Sequence, residues 1–327
     1  MKYIDLHADT ILPLLLQGED SSLYENSRTH VDLKGLQEGK AFAQSFAIWL
    51  PNSDVDILGI DPAFAPTNQE EDVDYIKRAV RRLRHEVEEH SKIIAWANNA
   101  TEMRENEVTG KISAILTLED ARAVNNSLEN IDVLAEEGFQ MVGILWNQEN
   151  CFGFPNSFNA RENQRGLKKF GIEAIRYMEE LDILTDVSHL NEGGITDVLN
   201  HSNHPVVASH SNARELANHP RNLTDEHIKG IAESGGVIGL CFAPPFLRDA
   251  AEDSSIEDMV RHLNHLLDKG GEDVLAIGTD FDGTSGNFEI GFPSEMPKLF
   301  ERLEQEKWPM ERIEKFAYKN ALRVFEK

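Results

Sequence analysis

The sequence predicts an α/β protein folded as a (β/α)8 TIM barrel. Eight strand-like runs occur along the 327 residues, and most are followed by a stretch with helical spacing of apolar residues. Such alternation is typical of parallel strands joined by right-handed crossovers, and eight units of this kind close into a barrel. No interdomain linker or internal repeat is visible, so we expect residues 1–327 to form a single domain. The alternative, an open doubly wound sheet, is weaker because no G-x-G-x-x-G follows an early strand.

The predicted strands are short apolar runs bounded by turn-forming residues. The first is an alternating segment at 2–6 that leads into His7, Ala8 and Asp9. The others are expected at 41–50, 112–118, 139–146, 183–187, 205–209, 236–242 and 274–279. Several of these runs end in an acidic residue or a histidine.

Apolar periodicity predicts the intervening helices. The clearest is 72–90, where apolar residues recur at helical spacing among charged ones. Others are expected at 128–137, 166–181, 195–199, 224–233, 256–269 and 309–326. Gly138 is a typical C-terminal cap and Thr224 a typical N-terminal cap. The polar segment 17–29 and the proline-containing segment 51–69 are expected to be loops.

The composition excludes some classes of function. The chain has 57 acidic and 32 basic residues, for a net charge of −25, and such a surface repels a phosphate backbone. We therefore expect no nucleic-acid partner. Two cysteines are too few for a disulfide framework, and no apolar run is long enough to span a bilayer. We expect a cytoplasmic protein with no membrane anchor.

Polar side chains with metal-binding chemistry follow five of the predicted strands. Active sites of (β/α)8 barrels lie at the C-terminal ends of the strands, so these side chains should meet at one mouth of the barrel. A lone histidine is usually structural or exposed, but a set spread over five strand ends favours a site. The candidates are His7, Asp9, Glu119, His189, His210 and Asp280.

Imidazoles and carboxylates suit Zn, Mn, Fe or Ni. Three histidines and three acids exceed the needs of one tetrahedral zinc ion, and a carboxylate can bridge two ions about 3.5–4 Å apart. Glu119 is the natural bridge, because its strand lies between the others in chain order. Asp280 is the candidate for proton transfer. Asp282 could share its face and is interpreted as a supporting or turn-forming residue.

The sequence resembles the membrane (renal) dipeptidase family, zinc peptidases of the amidohydrolase superfamily (peptidase family M19). The resemblance runs almost end to end. The matching motifs are DLHADT at 5–10, HVDLKGLQEG at 30–39, LTLE at 116–119, DVSHL at 186–190, ASHSNAR at 208–214, HPRNLTDE at 219–226, GGVIGL at 235–240, IGTDFDG at 277–283 and NALRVF at 320–325.

The resemblance implies a role for each candidate. His7 and Asp9 would bind one Zn²⁺, His189 and His210 a second, and Glu119 both. Asp280 would deprotonate the attacking water and then protonate the leaving amine. Arg221 would grip the C-terminal carboxylate of a dipeptide, because a guanidinium offers bidentate hydrogen bonds. The resemblance also suggests a homodimer.

Two residues depart from the family pattern. Trp146 stands where animal members have a histidine that is thought to polarise the scissile carbonyl. The tryptophan offers only one N–H donor. Asp120 stands where many members have glycine. Three functions remain open at this point: a dipeptidase acting on L,L and L,D dipeptides, a related amidohydrolase acting on N-acyl amino acids or another small amide, and a binding protein that has lost catalysis.

Overall fold

The computed structural model describes residues 1–51 and 71–326. Its centre is a parallel sheet with eight principal strands. These are β1 Tyr3–Ala8, β2 Ala41–Trp49, β3 Ile112–Glu119, β4 Met141–Gly143, β5 Leu184–Asp186, β6 Val207–Ala208, β7 Val237–Leu240 and β8 Leu275–Ile277. All eight coincide with predicted strands, although most are shorter at one or both ends.

The sheet is closed. Neighbouring strands follow the order β2-β1-β8-β7-β6-β5-β4-β3, and β2 also pairs with β3 along seven residues, from Ala43 opposite Ser113 to Trp49 opposite Glu119. This last pairing joins the two ends of the order into a ring. The predicted (β/α)8 barrel is therefore confirmed, and the open doubly wound sheet is wrong.

Helices surround the barrel and connect its strands. Within residues 1–51 and 71–326, those of seven residues or more are Leu33–Gly39, Asp72–Glu89, Ala100–Val108, Glu129–Glu137, Lys169–Glu180, Glu192–His201, Asp225–Glu233, Ile256–Gly270 and Pro297–Gln305. The N-terminal cap predicted at Thr224 is present, since its side chain accepts a hydrogen bond from the His227 N–H. Ala100–Val108 was not predicted because it buries only Ala100 and Met103, too few residues to give a periodic pattern.

Shorter elements include one helix that was not predicted from the sequence and one predicted helix that is divided. Ile11–Leu16 is a helix although it contains Pro13. The proline lies in the first turn, where backbone N–H groups have no acceptor within the helix, so its lack of an N–H costs no helical hydrogen bond. The single helix predicted at 309–326 is instead Met310–Glu314 and Asn320–Val324, joined by a π-helical turn at Lys315–Lys319.

Several smaller elements accompany the barrel in the described part of the chain. Ile94–Trp96 pairs with the start of β3, and Asp253–Ser254 pairs with Asn287–Phe288. Short helices cover Ala160–Asn163 and Pro244–Leu247, and 3₁₀ turns cover Ala121–Val124, Glu272–Val274 and Pro293–Glu295. Segment 17–29 contains no helix or strand, as predicted. The loop predicted at 51–69 lies, apart from Pro51, outside the described residues.

The core positions the strand ends. Every residue of β1 and β3 is buried, and apolar side chains of the surrounding helices pack against the outside of the barrel. Because all eight strands run parallel, their C-terminal ends meet at one mouth. None of the described helices is long and apolar enough to cross a membrane.

Candidate metal centre

The six predicted candidates come together at the C-terminal mouth of the barrel. His7 is the penultimate residue of β1 and Glu119 the last residue of β3. Asp9, His189, His210 and Asp280 lie in the first residues after their strands. All except His189 are buried, and His189 is only partly exposed.

Glu119 lies between two groups of side chains. Its Oε1 is 2.7 Å from His189 Nε2 and 3.7 Å from His210 Nε2. Its Oε2 is 3.7 Å from His7 Nε2, which is itself 3.2 Å from Asp9 Oδ2. Donor atoms of Glu119, His189 and His210 lie within 4.8 Å of one another, and so do those of His7, Asp9 and Asp280.

The electrostatics of the cluster favour a cation. Burial and the charge of Glu119 raise the pKa of Asp9 to about 8, and the same two causes raise the pKa of Asp280 to about 7. Burial and the charge of Arg221 lower the pKa of His189 to about 4. Burial also lowers the pKa of His210, whereas the charges of Asp9 and Glu119 outweigh burial and raise the pKa of His7. Carboxylates that repel one another beside the neutral imidazoles of His189 and His210 are an environment that a divalent ion would stabilise.

The residues present fit a metal centre. The donor set consists of imidazole nitrogens and carboxylate oxygens, which suits zinc and other first-row ions. Asp9 Oδ1 is buried and has no hydrogen-bond partner among the described residues, so an acceptor is left over for a ligand. The Nε2 atoms of His189 and His210 face each other at 3.1 Å. Two neutral imidazoles in that arrangement present lone pairs to a shared space.

Arg221 is held at the edge of this cluster. Its side chain is buried, with 4% of the residue exposed, and its two terminal nitrogens donate to Ser211 Oγ and to the His210 carbonyl, both at 2.9 Å. Its Nε has no partner among the described residues. The guanidinium also lies 5.7 Å from the ring centroid of Phe246. Arg221 is therefore a buried cation, and at least its Nε–H group is available to bind a ligand.

Comparison with known proteins identifies the family. The sequence model of the membrane dipeptidase family, peptidase family M19, matches residues 1–327. The chain belongs to the membrane dipeptidase family. It is therefore a metal-dependent dipeptidase, and the binding protein without catalysis considered from the sequence is wrong.

Related proteins resemble the dipeptidase over most of its length. A solved structure of dipeptidase AC, a metallopeptidase, has a TM-score of 0.89 and 28% identity, covering 99% of this chain and 98% of that one. A metallopeptidase from Rhodobacter sphaeroides, solved with a phosphinate mimic of L-Ala-D-Ala, has a TM-score of 0.90 and 27% identity, with the same coverage of each chain. An uncharacterized Klebsiella pneumoniae protein in the pqqA 5′ region is 35% identical over 68% of this chain and 83% of its own length.

Aromatic residues line the cavity of the dipeptidase. In the described part of the chain this cavity measures about 190 Å³, and it is lined by Leu12, Trp49, Trp146 and Phe246 together with the polar residues of the cluster. The Trp146 and Trp49 rings meet edge to face at 4.9 Å, and Trp146 lies 6.3 Å from the His189 ring. Trp146 was predicted at the end of a strand; it lies in the loop after β4, beside the cluster.

The second departure from the family pattern faces away from the cluster. The backbone of Asp120 has φ +70°, a conformation that favours glycine. Its carboxylate accepts hydrogen bonds from Arg122 Nη1 at 2.8 Å and from Asn150 Nδ2 at 3.1 Å. Asp282 likewise supports local structure, because it accepts hydrogen bonds from Thr10 Oγ1 and from the His30 N–H, both at 2.6 Å.

Sequence reasoning missed residues that contact the candidate ligands. Asn147 Oδ1 lies 3.1 Å from His189 Nδ1, Ser209 Oγ lies 2.7 Å from His210 Nδ1, and Cys241 Sγ lies 3.6 Å from Asp280 Oδ2. The serine had a visible signal, because it directly precedes a candidate ligand in the ASHSNAR motif. Asn147 and Cys241 had none, since their contacts depend on how the strands pair.

Proposed function

We propose that this metal-dependent dipeptidase hydrolyses L,L and L,D dipeptides at a centre of two Zn²⁺ ions. His7 and Asp9 would hold one ion, His189 and His210 the other, and Glu119 both. The observation that carries this proposal is the position of Glu119, whose two oxygens face different histidines, His189 through Oε1 and His7 through Oε2. Other first-row divalent ions have compatible ligand preferences.

When bound, such ions lower the pKa of a water molecule from ~16 towards ~7 and polarise a carbonyl group. Asp280 would take the proton from the attacking water and return it to the leaving amine. Its position is fixed by its neighbours, because its N–H donates to the His7 carbonyl at 3.1 Å and the Cys241 thiol contacts its Oδ2 at 3.6 Å. A carboxylate held beside the cluster can exchange a proton without leaving its place.

Arg221 supports a preference for substrates that end one residue after the scissile bond. A guanidinium carries five N–H groups, and two of its nitrogens here donate to Ser211 and to the His210 carbonyl. The remaining N–H groups, including that of Nε, suit a carboxylate, and the side chain forms no ion pair with an acidic residue among those described. A substrate carboxylate would supply the missing counter-charge and would place the adjoining amide at the cluster.

A second activity, on N-acyl amino acids, is supported by the apolar wall formed by Leu12, Trp49 and Trp146. An acyl group can pack against this wall as well as an apolar amino-acid side chain can. Trp146 has one N–H donor and no second polar atom, so stabilisation of a developing oxyanion falls mainly to the metal centre.

A substrate panel tests the proposal. Zinc-loaded protein should cleave L-Ala-L-Ala and L-Ala-D-Ala faster than N-acetyl-alanine, and removal of the metal by a chelator should abolish cleavage until zinc is restored. Asp280→Asn should retain zinc but lose nearly all turnover. Faster cleavage of N-acetyl-alanine would favour the second activity, and full turnover by Asp280→Asn would contradict the assigned proton transfer.

Three further expectations remain predictions. They are a homodimer, a cytoplasmic location and a single domain over residues 1–327. Gel filtration with light scattering would measure the oligomeric state, and limited proteolysis would reveal a separable domain if one exists.

A further inference from the structure

Two buried aspartates lie beneath the metal centre, and neither belongs to the proposed ligand set. Asp5 is 1% exposed and Asp186 is 5% exposed. Asp5 lies on β1, which pairs with β8, and Asp186 lies on β5, which pairs with β6. In both cases the neighbouring strand leads to a residue with a proposed role in the chemistry, Asp280 after β8 and His210 after β6.

Asp186 joins two strand ends through four hydrogen bonds. Its Oδ1 accepts from the Ser188 N–H at 3.0 Å, the Ser188 hydroxyl at 2.7 Å and the Ser209 N–H at 2.9 Å. Its Oδ2 accepts from the Ser209 hydroxyl at 2.5 Å. A carboxylate whose oxygens are engaged in this way holds the backbone on both sides of it in one arrangement.

Asp5 makes the same arrangement on another side of the barrel. Its Oδ1 accepts from the His7 N–H at 3.2 Å and the Thr279 N–H at 2.9 Å, and its Oδ2 accepts from the Thr279 hydroxyl at 2.7 Å and from Gln44 Nε2 at 3.1 Å. The strand register matches as well. Asp5 is opposite Ile277 and Asp186 is opposite Val207, and in each case the hydroxyl residue lies two positions further on.

The hydrogen bonds around Ser209 determine the tautomer of His210. Because an ionised carboxylate can only accept, the Ser209 hydroxyl donates its hydrogen to Asp186. Ser209 Oγ is also 2.7 Å from His210 Nδ1, so in this contact the nitrogen must donate and the oxygen accept. His210 is then protonated at Nδ1, and its Nε2 carries a lone pair towards His189 and Glu119.

We propose that Asp186 and Ser209 are positioning residues that hold His210 in the Nδ1–H tautomer with Nε2 directed at the metal centre. Asp5 and Thr279 join β1 to β8 by similar hydrogen bonds but do not contact His210. The proposal rests on the ligand role proposed for His210. Asp186 also has an oxygen within 4.8 Å of nitrogen atoms of His7 and His210, which would make it a rival ligand. Its existing hydrogen bonds argue against that role, because Oδ1 already accepts three of them and an ion at Oδ2 would compete with the hydrogen bond from the Ser209 hydroxyl.

Metal binding by variants of the apoprotein tests this positioning role. Ser209→Ala removes the hydroxyl but keeps the N–H bond to Asp186, and it should weaken binding of one zinc ion about 10–100-fold, the usual effect of losing a partner of a metal-binding histidine. A competition titration with a chromophoric zinc chelator measures this. Ser209→Thr retains the hydroxyl and should restore affinity. Thr279→Val removes the matching hydroxyl from Asp5 and should leave the zinc site at His210 unchanged.

The tautomer is measured directly by long-range ¹H–¹⁵N correlation spectra of histidine-labelled apoprotein, with the His210 signals assigned by their loss in His210→Gln. The expected result is the Nδ1–H form in the wild-type protein and in Thr279→Val, and a change of the His210 pattern in Ser209→Ala. An Nε2–H form in the wild-type protein would overturn the proposal, even if Ser209→Ala fails to fold. Unchanged zinc affinity and tautomer in folded Ser209→Ala would overturn it as well. Wild-type protein that binds no divalent ion would instead contradict the ligand assignment, while the spectrum would still report the tautomer.

Discussion

Replacing Arg221 with methionine should remove most of the enzyme's preference for a free C-terminal carboxylate. The side chain is buried, and its unused N–H groups are proposed to hold that carboxylate. A hydrogen bond to a charged group contributes about 1.5–3 kcal/mol, so a bidentate contact corresponds to about 3 kcal/mol or more. At about 1.4 kcal/mol per factor of ten, kcat/KM for a dipeptide should fall at least ~100-fold.

The assay compares a dipeptide with its C-terminal amide in wild-type and Arg221→Met protein. The amide lacks the negative charge, so its already low kcat/KM should change far less than that of the dipeptide. Arg221→Lys should have a kcat/KM for the dipeptide between those of the wild-type and Arg221→Met proteins, because an ammonium group keeps the charge but cannot form the bidentate hydrogen bonds of a planar guanidinium. Arg104→Met is a matched control, since Arg104 pairs with Glu326 at an exposed position. An equal fall in kcat/KM for the dipeptide and for its amide in Arg221→Met would refute the role of Arg221 in binding the carboxylate.

Three further substitutions test other parts of the structure. Burial lowers the pKa of His262 to about 4, whereas the unfolded chain has a pKa of ~6.5 at this residue. The free energy of unfolding should therefore be highest above pH ~6.5 and should fall by up to about 3 kcal/mol as pH is lowered towards 4. In His262→Gln the urea midpoint should fall less steeply over that pH range. Gly283→Ala places a Cβ 2.1 Å from Asp9 Oδ2, so zinc affinity should fall while the fold is retained, as measured by chelator competition and circular dichroism. Trp146→Ala removes an aromatic wall of the cavity; losing roughly 40 Å² of apolar contact with a substrate side chain costs about 1 kcal/mol, so KM should rise about 5-fold for dipeptides with an apolar N-terminal side chain.

Each of these substitutions has an outcome that would count against it. A pH dependence in His262→Gln identical to that of the wild-type protein would show that the ring does not titrate as described. Unchanged zinc affinity in Gly283→Ala would mean that Asp9 is free to move without consequence. Trp146→Ala should hardly alter KM for glycyl dipeptides, and an equal rise for these substrates would exclude a side-chain contact with the tryptophan.

The positions of the proposed ligands could be predicted because the fold converts chain order into geometry. Once eight parallel strands close into a ring, residues at their C-terminal ends must share one mouth, so His7, Glu119 and His210 meet although they are far apart in sequence. The same logic placed Asp280 beside Asp9. These predictions needed the strand order and direction, but no side-chain detail.

The supporting contacts could not be predicted because they depend on register. Ser209 meets Asp186 only because Asp186 pairs opposite Val207, and a shift by one residue would turn the serine away. The local conformation of Asp120, with φ +70°, is likewise held by Arg122 and Asn150 from other parts of the chain. The helix at Ile11–Leu16 was not predicted because a proline interrupts a helix at every position except the first turn, and Pro13 lies in that turn.

The central claim, that Glu119 lies between two metal ions, is tested most directly by anomalous diffraction from crystals of the zinc-loaded protein at the zinc absorption edge. The account predicts two peaks of comparable height about 3.5–4 Å apart, one beside His7 and Asp9 and the other beside His189 and His210, with Glu119 contacting both. A single peak, or a peak coordinated by Asp186 in place of Glu119, would contradict it.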